Sequence, residues 1–160
     1  MPKVELTDLE ISELISEPKI LPMGYNRLFN LKPRRGHSEA QLEITTPLGH
    51  RYRFILRQNL INQLDFSAVL AYNLPEGRWF RLKRYNGKSH EHTNDIEGET
   101  FYDYHIHTAT QRYQARGADE ERYAEATDRY ATLKQAFECL LLDCHVGFEE
   151  DETEQGRLFL

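Results

Sequence analysis

From Leu42 to Arg84 the chain repeats in steps of two, apolar against polar, and the tight-turn sequences PLGH and PEG interrupt it. Successive side chains of a strand point to opposite faces, so this period builds a sheet with one buried face. Leu42, Ile44 and Thr46 share one face of a strand that stops at Pro47. Tyr52, Phe54 and Leu56 share a face of the next strand, while Arg51, Arg53 and Arg57 share the other, with Ile55 between them. The two read as a hairpin, apolar on one side and largely cationic on the other. SAVLAYN (67–73) is a third strand, and RWFRLKRY (78–85) a fourth, with Phe80, Leu82 and Arg84 opposite Trp79, Arg81 and Lys83. FYDYHIHTAT (101–110), rich in aromatic and β-branched residues, is a fifth.

Helical signals flank these strands. LTDLEISELISEP carries a capping box in Thr7 and Glu10, an apolar stripe in Leu9, Ile11, Leu14 and Ile15, and a stop at Pro18. Residues 19–36 are rich in Pro and Gly and read as irregular, with one short strand. Beyond Gly117, Asp119 is a plausible N-cap, with Glu120 and Glu121 in the first turn. Tyr123, Ala126, Tyr130, Leu133, Phe137, Leu140, Leu141 and Cys144 then recur at three- and four-residue steps to His145, predicting an amphipathic helix of about seven turns. The expected fold is α+β: an antiparallel sheet of four to five strands packed under a long C-terminal helix, with a short N-terminal helix. Residues 1–148 are expected to form a single domain, and residues 149–160 an acidic, flexible tail.

Composition narrows the setting. No run reaches the eighteen or so apolar residues of a membrane span, and MPKVELTDLEISELI has acids where a leader is basic and then apolar. The expectation is a cytoplasmic protein with no membrane contact. Cys139 and Cys144 lie five apart on the expected helix, so their side chains diverge by about 140° and form no disulfide. Charge is segregated: residues 1–18 carry −4, residues 19–88 carry +9 and residues 89–160 carry −11. A basic middle can make a local anion site inside an acidic chain, unless the acidic segments fold back and neutralise it.

HEHTNDIEGETFYDYHIHT, residues 90–108, holds four of the seven histidines as two His-x-His pairs. Strand parity puts His105 and His107 on one face and Ile106 on the other, with Asp103 on the histidines' parity. His90 and His92 share a face if their segment is extended. Three readings stand open. The first is a divalent metal held by ligands from His90, His92, His105 and His107. The second is metal-free acid-base chemistry on a phosphodiester, which needs one neutral imidazole and one protonated. The third is a set of structural histidines hydrogen-bonded at a sheet edge.

The chain resembles an uncharacterised prokaryotic and prophage domain family. LTDLEISELISEPK resembles that family's acidic opening helix, and LAYNLPEGRWFRLKRYNGKSHEHTN its arginine-bearing strand and His-Thr-Asn turn. GETFYDYHIHT is similar to its His-x-His strand, and AFECLLLDCHV to its closing helix. After Asn94 this chain has Asp95-Ile96-Glu97-Gly98, where the family favours Pro and an acid-Gly turn. RYNGKSHEH followed by HIH is similar to toxins of the TumE type over about residues 80–107. This second resemblance implies a toxin-like or defence-associated role with a protein partner.

The functional expectation is a nucleic-acid-acting, ribonuclease-like protein of a mobile element or defence system, with RNA as substrate. His92 and His107 would move protons, with His105 and Arg84 beside them. Asn86, Asn94, Arg81, Arg57 and Thr93 would bind substrate, and a divalent metal is the candidate cofactor. The alternative is a non-enzymatic interaction protein with structural histidines, whose partner is an antitoxin or host protein.

Overall fold

The computed structural model describes residues 3–149. The chain opens with α1 (Asp8–Ser16), started by the expected capping box: the Glu10 N–H donates to Thr7 Oγ1 at 3.2 Å and the Thr7 N–H to the Glu10 carboxylate at 3.1 Å. β1 (Lys19–Leu21), a 3₁₀ turn (Tyr25–Phe29) and β2 (Lys32–Pro33) occupy the segment read as irregular. Four long strands follow: β3 (His37–Thr45), β4 (Arg51–Asn59), β5 (Phe66–Asn73) and β6 (Trp79–Asn86). Short elements complete the chain: β7 (His92–Asn94), β8 (Glu99–Phe101), β9 (His105–Thr108), α2 (Gln111–Ala115), β10 (Ala124–Ala126), α3 (Leu133–Asp143) and β11 (Val146–Phe148).

The fold is α+β. Its main sheet has seven antiparallel strands in the order β10-β9-β6-β5-β4-β3-β2, where four to five were expected. The additions are the edges: β2 is two residues long, and β10 lay inside the predicted helix. Tyr52, Phe54 and Leu56 are fully buried, as their alternation requires, and Phe54 packs edge-on against Phe137 of α3. Leu70, Phe80, Leu82 and Leu140 join that core, each contributing about 1.5–3 kcal/mol by leaving water. Among the described residues no helix is long and apolar enough to cross a membrane. Both cysteines are free, Cys144 buried and Cys139 partly so.

One buried cation ties the ends of two helices together. Lys19 is fully buried, and its Nζ contacts the carbonyls of Leu14, Ile15, Glu17 and Cys144 at 2.7–3.0 Å. Carbonyls at the end of a helix have no intrahelical donor, and the ammonium supplies one to both α1 and α3.

Two expectations are corrected. The C-terminal helix does not start at Asp119 but at Thr132, whose side chain accepts from the Gln135 N–H, and it runs for 11 residues rather than seven turns. Ahead of it, Ala124–Ala126 pairs with β9, so this stretch satisfies its backbone by extending the sheet. Glu120 and Glu121, expected in the first turn of that helix, are buried beside Arg81 instead. The second correction is in β6. Leu70 pairs with Lys83 and Ala71 with Arg81, which leaves Leu82 as an extra residue, a β-bulge. The parity of the strand inverts there. Tyr85 falls on the core side, where its hydroxyl donates to Asp143 at 2.6 Å, and Arg84 moves to the face opposite Phe80 and Leu82.

Candidate metal centre

β6 and β9 run antiparallel with Arg84 opposite His107 and Asn86 opposite His105. Strand alternation puts His105 and His107 on one face, as expected, and both are buried. β7 brings His92 against them: its ring stacks on His105 at 5.2 Å between centroids and meets His107 edge-on at 4.9 Å. One ring nitrogen of each histidine lies within 4.8 Å of those of the other two.

The second nitrogen of each ring is anchored to an oxygen. His105 Nδ1 lies 2.7 Å from the Asp103 carbonyl, and His107 Nδ1 2.7 Å from the Glu121 carbonyl. His92 Nε2 lies 2.9 Å from Asn94 Oδ1. Asn94 is itself fixed, because its Nδ2 donates to the Ala124 carbonyl at 2.7 Å and its Oδ1 accepts the Ala124 N–H at 2.9 Å. A carbonyl oxygen only accepts, so each anchored nitrogen carries the proton. Nε2 of His105, Nε2 of His107 and Nδ1 of His92 are therefore the lone-pair atoms. Burial, reinforced by the Arg84 charge, pushes His107 down to about 2. Burial likewise takes His105 down to about 4, and it lowers His92 too. All three imidazoles are neutral at pH 7.

The flank of the cluster is polar and incompletely satisfied. Asn86 Nδ2 lies 3.5 Å from His105 Nε2 and 3.4 Å from His107 Nε2, while its Oδ1 is buried with no partner. Arg84 Nε is also buried without a partner. Arg81 Nε stands 2.9 Å from Glu121 Oε2, out of hydrogen-bond alignment, and burial raises the pKa of that carboxyl.

Not every expected residue arrives here. Residues 87–91 form no strand; His90 is exposed, bonds to Ser89 Oγ at 3.0 Å and sets its ring edge-on to His105 at 6.3 Å, outside the three histidines whose nitrogens converge. Thr93 points away from His92 and meets Thr100 Oγ1 at 3.0 Å. Arg57, on β4, lies three strands from β9, about 14 Å at the usual strand spacing, and pairs with Asp65 at 3.4 Å. Arg81 is engaged by Glu120 and Glu121. Asn94, expected to bind substrate, instead orients His92. Sequence reasoning missed Glu121, whose carbonyl fixes His107; the segment's apparent helical period concealed it.

Comparison with known proteins finds no matching family model, no similar curated protein and no similar solved structure.

Proposed function

We propose that this protein binds a divalent transition-metal ion through His92, His105 and His107. One observation carries the reading: each imidazole gives one N–H to an oxygen, which leaves its other nitrogen a lone pair, and one nitrogen of each ring lies within 4.8 Å of the others'. Metal-ligating histidines are oriented in this way, by an acceptor for the nitrogen that does not bind the metal. Imidazole nitrogens suit zinc, copper, nickel and iron. Zinc–nitrogen bonds of about 2.0–2.1 Å place tetrahedral donors roughly 3.4 Å apart, so the rings close in slightly on the ion.

Metal-free acid-base chemistry is the poorer fit. It needs an imidazolium that can give its proton to a substrate, and here the ring protons are committed to buried oxygens. The ribonuclease-like reading is retained as an extension of the metal reading, with the ion activating water. Arg84, its Nε unpaired beside His107, is the observation that favours it. Incubating the protein with RNA, with and without zinc or manganese, tests that extension. Cleavage that His107→Ala abolishes would support it, and inertness under every condition would remove it. The alternative of an interaction protein with structural histidines predicts no metal. Calorimetric titration of protein purified without an affinity tag decides between the two, since binding that requires all three histidines follows only from the metal reading.

A further inference from the structure

The fourth position of the centre can be read from Asn86, and this inference rests on the metal reading. Asn86 ends β6, facing His105. Its Nδ2 lies 3.4–3.5 Å from two imidazole nitrogens, beyond the usual length of a hydrogen bond, while its Oδ1 is buried with no donor in reach. Half a turn of the amide would point Oδ1 at those nitrogens. They carry lone pairs, so the oxygen is repelled unless a cation lies between them. An ion at the cluster supplies that cation.

A second observation concerns access. His92, His105 and His107 are 5%, 0% and 3% exposed. Five cavities of 300–460 Å³ among the described residues are lined by other side chains, and none of the five linings includes these histidines or Asn86. Catalytic zinc keeps one position open to water or substrate, whereas structural zinc has four protein ligands.

The third observation is topological. β6 and β9 pair directly, yet residues 87–104 leave the sheet between them and return. β7 and β8 pair only with each other. His92 comes from this excursion, and Asn86, His105 and His107 come from the sheet.

We propose that Asn86 Oδ1 is the fourth ligand, and that the ion is a structural clamp fastening the β7–β8 excursion to the main sheet, a closed site that excludes the water-activating extension. The clamp then reaches a further element, because the Asn94 that orients His92 also holds both backbone groups of Ala124 in the edge strand β10.

Cobalt(II) is the probe, since its visible absorption is intense in a four-coordinate site and shifts when an external ligand enters. The full chain loaded with cobalt(II) is expected to show the four-coordinate band and to ignore a 100-fold excess of azide. Asn86→Ala should bind cobalt(II) about 10- to 100-fold more weakly and become azide-sensitive, and Asn86→Asp should behave as wild type does. Amide exchange across residues 92–101 should slow at least tenfold when metal is added. A wild-type band that responds to azide, or Asn86→Ala binding cobalt(II) as wild type does, overturns the clamp while the metal reading stands. A wild-type protein that takes up no cobalt(II) overturns both.

Discussion

Arg84 faces His107 across the β6–β9 ladder, one step from Asn86 facing His105. A single extra residue, Leu82, produces this relationship by shifting everything after it to the other face of β6. Without the bulge, Arg84 would point toward the apolar core with Phe80 and Leu82, and the flank of the histidine cluster would lose its cation.

The start of the last helix is testable by its cap. Thr132→Ala should cost about 1 kcal/mol, because the Gln135 N–H loses its side-chain acceptor. Asp119→Ala, at the start expected from sequence, should change stability by less than about 0.5 kcal/mol. Urea unfolding of both variants measures the difference, and the reverse ranking would place the helix start at residue 119.

Much of the fold was legible because strand alternation is a local signal. Tyr52, Phe54 and Leu56 were readable as core, and Thr7 with Glu10 as the cap of α1. The segment 119–132 reads as helix because Tyr123, Ala126 and Tyr130 mimic a helical stripe. What decides that segment is non-local: the free edge of β9 and the Asn94 amide. His105 and His107 were readable as a co-facial pair by parity, whereas the arrival of His92 depends on a turn that no period encodes. The bulge at Leu82 leaves no trace in the pattern either, so alternation alone puts Arg84 on the wrong face.

Lys19→Met should destabilise the protein by about 3 kcal/mol, since the buried carbonyls of Glu17 and Cys144 lose their donor at roughly 1–3 kcal/mol each, while that of Leu14 keeps the Tyr52 hydroxyl at 3.2 Å. Denaturant unfolding at pH 7 is the measurement. A neutral result would mean that the carbonyls of Glu17 and Cys144 find other donors.

Acid sensitivity should trace in part to Glu17. Burial raises its pKa, but hydrogen bonds from Tyr52, Thr46 and His50 outweigh burial and hold the carboxyl below its ordinary range. A carboxyl lowered on folding contributes stability that is fully present above its unfolded value, about 4.3, and lost as pH falls through the folded value. Thermal unfolding between pH 7 and pH 3 should therefore show a decline below about pH 4.3 that is shallower in Glu17→Gln. Parallel curves for the two proteins would contradict the assignment.

Asn94→Leu removes both partners of the Ala124 backbone and the acceptor that orients His92. A loss of about 3 kcal/mol is expected from the two unpaired backbone groups, accompanied by weaker metal binding of about 10- to 100-fold. Thr93→Ala, one residue away on the other side of β7, should leave metal affinity unchanged. Calorimetry on both variants separates orientation of the ring from general damage to the hairpin.

The central claim is most directly tested by the metal content of tag-free protein after zinc titration and removal of free ion. The account predicts about one ion per chain, retained by His90→Ala and lost in His92→Ala, His105→Ala and His107→Ala. Folded wild-type protein holding no stoichiometric ion, or binding that survives loss of any one of those three histidines, would contradict it.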